Sequence, residues 1–201
     1  MSEKRKYWLL FTSIAGDGAE IGMTFEQPTS NKFSHVKPMA KTFPDNAKIY
    51  FSEYNENVKL YDFIGNTNSW LIVSPEVKLL FEDFGVADIE YLKVAVVDHD
   101  NKTHTDPYYI LNILNQQPIV DLEKSKFRRS PFDGEITKFR NFVTNTDDVD
   151  PSIHVFRPTD APIFYIISND LKEAMEASGL TNCLFYEADG WNGSRFMEII
   201  R

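Results

Sequence analysis

Trp70-Leu71-Ile72-Val73-Ser74-Pro75-Glu76-Val77-Lys78-Leu79-Leu80-Phe81-Glu82-Asp83-Phe84-Gly85 packs a strand, a cap and a helix into one short stretch. The apolar run Trp70 to Val73 suits a buried strand. Ser74 is a helix N-cap and Pro75 fits the first helical position, where its missing N–H costs nothing. Val77, Leu80, Phe81 and Phe84 fall on one helical face. Gly85 ends the helix, because only glycine enters the left-handed region without a steric cost. Ile89 to Val97 then reads as a returning strand.

The same grammar recurs 94 positions later. Ile163 to Ile167 is apolar, Ser168 precedes a helix with Leu171, Ala174, Met175 and Ser178 on one face, and Gly179 closes it. Cys183 to Tyr186 returns as a strand, with its cysteine expected in the core. Ser74 therefore falls on Ser168, Val77 on Leu171, Phe81 on Met175 and Gly85 on Gly179. These two strand–helix–strand units, near 70–97 and 163–188, predict an α+β chain. A mixed sheet flanked by a few helices is the expected form.

Working outward, Tyr7 to Ile14, Lys48 to Phe51, Val58 to Phe63 and Glu135 to Val143 read as further strands. A short strand is also expected around Ile21 to Phe25, and a turn at Gly65 to Asn68. Tyr108 to Asn115 has no period of two. Tyr108, Leu111 and Leu114 share a spacing of three, which predicts a short buried helix. Nothing resembles a low-complexity linker, and 201 residues set against about 150 per domain predict a single domain over 1–201.

Composition bounds the function. Hydrophobic residues make up 42% and aromatics 14%, too rich for a disordered chain. The net charge of −9 argues against nucleic acid, whose phosphates need an excess of Lys and Arg, and suits a basic partner. A single cysteine excludes an internal disulfide framework. No apolar stretch approaches the 18 residues of a membrane span, and Tyr7 to Ile14 is short for a secretion signal, so a cytoplasmic location away from membranes is expected.

No catalytic set assembles from the spacing. Ser74 and Ser168 lack the flanking glycines of a nucleophile elbow and read as caps. Gly16-Asp17-Gly18 is a turn without the lysine of a phosphate loop. His99 and His104 lie in an acidic turn lacking the glycine of a calcium loop, so neither metal nor cofactor is expected. The charged feature that stands out is basic: Lys124, Lys126, Arg128 and Arg129 within six positions. Arg140 and Arg157 each follow a phenylalanine, which points them away from it in an alternating strand. Trp191 sits in the glycine-rich turn Asp189 to Gly193. These seven residues are the candidates for binding a partner or an anion.

Several dispersed phrases resemble the Imm11 immunity-protein family, formerly a domain of unknown function. They are Asn112 to Asn115, Asp121 to Ser125, Ile153 to Arg157, Pro162-Ile163-Phe164, Ile167-Ser168, Leu171-Lys172 and Gly179-Leu180, within about residues 60–188. After Gly179-Leu180 this chain departs from the family phrase with Thr181-Asn182-Cys183. The resemblance implies a bacterial protein that neutralises a cognate toxin by binding it, and it carries over no catalytic residue. Two other readings stand beside it. One is a small enzyme or ligand-binding protein with an anion pocket near Arg128, Arg140 or Arg157. The other is a homo-oligomer joined through the apolar end Phe196 to Ile200.

Overall fold

The computed structural model describes residues 5–13, 17–22 and 36–194. Gly16, most of the segment from Ile21 to Phe25, and the apolar end Phe196 to Ile200 lie outside the described residues. The class is α+β: mixed sheets flanked by two helices.

The chain gathers into two compact units. One comprises 1–10, 115–174 and 185–201; the other comprises 11–114 and 175–184. The second is organised on a six-stranded sheet. Its strands are β2 (Glu20–Ile21), β3 (Lys48–Tyr50), β4 (Phe63–Asn66), β5 (Ile72–Val73), β6 (Ile89–Val97) and β7 (Tyr108–Ile113), in the order β2-β4-β5-β7-β6-β3. Helix α1 (Pro75–Asp83) joins β5 to β6 and packs on β5 and β7. Strand β7 runs antiparallel to both β5 and β6, so the helix carries the chain over an intervening strand between two parallel ones. Ile21, Ile49, Ile64, Ile72, Leu92, Val94 and Ile110 form the apolar core of this unit.

The first unit holds most of a five-stranded sheet. Its strands are β1 (Tyr7–Thr12), β8 (Gln116–Gln117), β11 (Val155–Pro158), β12 (Ile166–Ser168) and β13 (Cys183–Glu187), in the order β13-β1-β12-β11-β8. Helix α2 (Asn169–Ala177) joins β12 to β13. The remaining strands, β9 (Lys126–Arg129) and β10 (Ile136–Asn141), form a separate two-stranded antiparallel sheet.

The two strand–helix–strand segments share features down to single hydrogen bonds. Ser74 Oγ accepts from Val77 N at 3.4 Å, and Ser168 Oγ accepts from Leu171 N at 3.2 Å. Gly85 and Gly179 both take positive φ, +79° and +68°. At one helix end Val86 N donates to Phe81 O and Gly85 N to Glu82 O; at the other Leu180 N donates to Met175 O and Gly179 N to Glu176 O. Both ends are therefore the same Schellman closure, which satisfies carbonyls the helix leaves open. Asp88 and Asn182, again 94 apart, both sit at positive φ just before the return strand.

Two expectations are corrected. Tyr108 to Asn115 is not a helix; Tyr108–Ile113 is the strand β7. It runs between two strands and is buried at every position except Tyr109, so no polar face exists to display a period of two. The strand expected at Val58 to Phe63 begins at Phe63 and runs to Asn66, through half of the expected turn. Asn66 is buried, and its side chain accepts from Asn68 N and Trp70 N and donates to Trp70 O. An asparagine that ends a strand and ties its own turn looks like turn material alone.

Candidate functional site

Among the described residues, the two sheets differ in what lies between the edge strand and the hairpin that follows it. In the second unit that interval, 22–62, holds β3. In the first unit the interval 118–154 folds into the β9–β10 arm instead. The candidate site is this arm.

Its base is held firmly. Ser125 N donates to Asp121 O, and Asp121 Oδ1 accepts from Glu123 N and Lys124 N. Val143 N donates to Ser125 Oγ at 3.0 Å. Ile136 N donates to Asp160 O, and Phe142 N to Trp191 O. Phe139 packs against Phe142, Phe164 and Phe127, with ring centroids 4.4, 5.4 and 6.2 Å apart. These aromatics fix the inner face.

The outer face is basic. Phe127 stands in register with Phe139, and the next pair along is Arg128 opposite Lys138. Two register shifts make Thr137 and Arg140 the extra residues of bulges in β10. Lys126, Arg128, Lys138 and Arg140 are all exposed and make no side-chain ion pair among the described residues. The residues 126–140 carry net +3, which leaves −12 to the remainder of the chain.

The tip is ordered by its own polar groups. Gly134 N donates to Ser130 O, Ser130 N to Glu135 O, and Glu135 N to Asp133 Oδ1. Gly134 turns the chain at φ +76°. This turn presents Phe132 at 95% exposure.

The sequence-derived candidates separate on this scaffold. Lys124 reaches back to Asp121 at 2.8 Å, and Arg129 lies 3.8 Å from Asp160 and donates to Gly134 O. Both charges are answered internally. Arg157 is the clear departure from expectation: it is 1% exposed, donates to Pro162 O at 2.8 Å, and lies over the Tyr165 ring. Strand β11 is buried on both faces, so the residue after Phe156 has no solvent side to point to. Trp191 is buried edge-on to Phe164 rather than presented to solvent. With Lys138, Phe139 and Phe164 it lines an open recess of about 210 Å³. Ser74, Gly85, Ser168 and Gly179 are the helix caps and closures described above.

Phe132 and Lys138 were missed in the sequence reading. The signal available for Phe132 was a phenylalanine inside Ser130-Pro131-Phe132-Asp133-Gly134, where no periodic face offers it a core. A second missed feature is repeated. Lys78 lies over the rings of Tyr91 and Tyr109, and Lys172, 94 positions on, lies over Trp8 and Phe185. Each lysine stem covers aromatic surface beside its helix while the cation faces the ring quadrupoles.

Arg128, Arg140 and Arg157 do not converge on one site, since the first two are exposed on the arm and the third is internal. A recess of about 150 Å³ elsewhere in this unit is lined by Arg5 and Lys6, but also by Glu187 and Asp189. Burial pushes the Cys183 thiol up to about 11, which keeps it protonated and a poor nucleophile. Among the described residues no group of three or more His, Cys, Asp or Glu is placed to hold a metal ion. Phe51 packs against both His99 and His104, while Asp98 accepts from Asp100 N and Lys102 N to close their turn.

The model of the immunity protein family Imm11 matches residues 4–190. Among curated proteins, none matches the chain.

Proposed function

The chain belongs to the Imm11 family of immunity proteins, and on that premise we propose that it neutralises a cognate toxin by binding it directly, without turnover. The family match across nearly the whole chain carries this reading. The chemistry of the described residues supports it. Both candidate serines spend their hydroxyls on helix caps, and Ser168 is fully buried. The one thiol is protonated at neutral pH. The β9–β10 arm offers a surface a partner can reach, with Lys126, Arg128, Phe132, Lys138 and Arg140 all exposed.

The test is co-expression of this chain with the toxin domain encoded next to its gene, followed by titration of the two purified proteins. Rescue of growth together with a saturable complex is the expected result. A chain that neither rescues nor binds would overturn the reading. Rescue accompanied by chemical alteration of the toxin would overturn the non-catalytic part alone.

A further inference from the structure

We propose that the β9–β10 arm is the docking element for the partner, and that the partner meets it with a cluster of carboxylates. The identity of that partner rests on the immunity reading above; the chemistry comes from the arm itself.

The first observation is electrostatic. Arg128 and Lys138 face each other in register on the exposed side of a two-stranded sheet. Like charges directly opposite one another destabilise a strand pair. Lys126 and Arg140 add two more cations to the arm, also without an ion-pair partner among the described residues. Carboxylates are plentiful in this chain, at 30 Asp and Glu against 21 Lys and Arg, yet among the described residues no ion pair joins one to these four cations. A folding requirement alone would favour opposite charges across the pair. The arrangement becomes favourable when a partner supplies the anions.

The second observation is apolar and independent of the first. Phe132 projects at 95% exposure from a turn whose own hydrogen bonds fix it. A rigid aromatic on a preorganised turn loses little conformational freedom on binding, and such residues dominate interface energetics. The third is architectural. The repeated plan builds the two main sheets, and the arm is what the first unit adds to that plan. The global charge of −9 predicts a basic partner, but at this arm the local charge is reversed. Steering therefore brings an acidic patch to the arm. Nucleic acid fits less well, because four cations on an otherwise acidic chain give a short electrostatic footprint.

The experiment compares the unaltered full-length chain with Arg128→Glu, with Arg128→Glu/Lys138→Glu, and with Phe132→Ala. The probe is the toxin domain encoded beside its gene, at low and high salt. Arg128→Glu places a carboxylate opposite Lys138, so its thermal midpoint should hold or rise while its affinity falls about tenfold or more. The double variant should lose most of the salt dependence of binding. Phe132→Ala should weaken binding about thirtyfold, as for an interface hot spot. If the unaltered chain binds and every variant binds as tightly, the docking arm is overturned and the immunity reading stands. If the unaltered chain neither binds nor protects, both fall. If instead the arm captures a short RNA oligonucleotide, and these substitutions abolish that, the carboxylate partner is overturned.

Discussion

Two sheets in this molecule follow one plan and differ in what is hung on it. Each has an edge strand parallel to the first strand of a hairpin: β2 beside β4, and β8 beside β11. Each hairpin leads through a serine-capped helix to a return strand, with one strand inserted between. The intervals between edge strand and hairpin then diverge, giving β3 in one case and the β9–β10 arm in the other. Charge diverges as well: the unit holding the six-stranded sheet carries −8, and the other carries −1. Backbone plan and helix closures are therefore shared where geometry demands them, and surface chemistry is free to differ where it does not.

Matched core positions give the hardest test of that equivalence. Phe81 and Met175 are both fully buried at the same place in the two repeats. Phe81→Ala should cost about 3–5 kcal/mol and Met175→Ala about 2–5 kcal/mol, measured by urea unfolding. An effect under about 1 kcal/mol at either site would break the equivalence, since it would mean that helix is not anchored through this position.

The caps sharpen it further. Ser74 Oγ donates to Asp62 Oδ1, whose other oxygen accepts from Thr181 N and Oγ. Ser168 Oγ instead meets His154 Nδ1 at 2.9 Å. The backbone repeats around both serines, with Ser74 N donating to Asp62 O and Ser168 N to His154 O, each at 2.9 Å. Ser74→Ala and Ser168→Ala should each cost about 0.5–2 kcal/mol in unfolding experiments. Unchanged stability in both variants would remove the capping role.

The smallest effect separates the two anchors by pH. Burial holds the His154 pKa below its ordinary value of 6.5; Arg5 lowers it further and Asp170 opposes. The unfolded chain therefore takes up this proton first. The contribution of neutral His154 is complete above about 6.5 and is lost as pH falls through the lowered folded value. Unfolding midpoints followed from pH 7 downward should drop less steeply in His154→Gln than in the unaltered chain. Identical slopes in the two would remove His154 as the source.

The legible part of the fold was the part fixed by local chemistry. Serine caps, closing glycines and apolar spacing marked both helices, because capping and amphipathicity act within a turn or two of the residues that carry them. Strand β7 was illegible for the opposite reason: its neighbours in the sheet bury both faces and erase the alternation. At the site, the cluster from Lys124 to Arg129 was visible as composition, but its division was not. Asp121 answers Lys124 and Asp160 lies beside Arg129, whereas Arg128 is left facing Lys138, ten residues away.

By itself the sequence determined the α+β class and the serine caps and closing glycines of two similar strand–helix–strand segments. Each depends on neighbours within a few positions, or on a pattern that recurs intact. Only the tertiary structure decided which cations remain exposed, that Arg157 is internal, that Trp191 is covered and that Phe132 is not. Exposure and charge pairing are settled by residues distant in sequence, through strand register and the packing of an aromatic base, and no local rule encodes them.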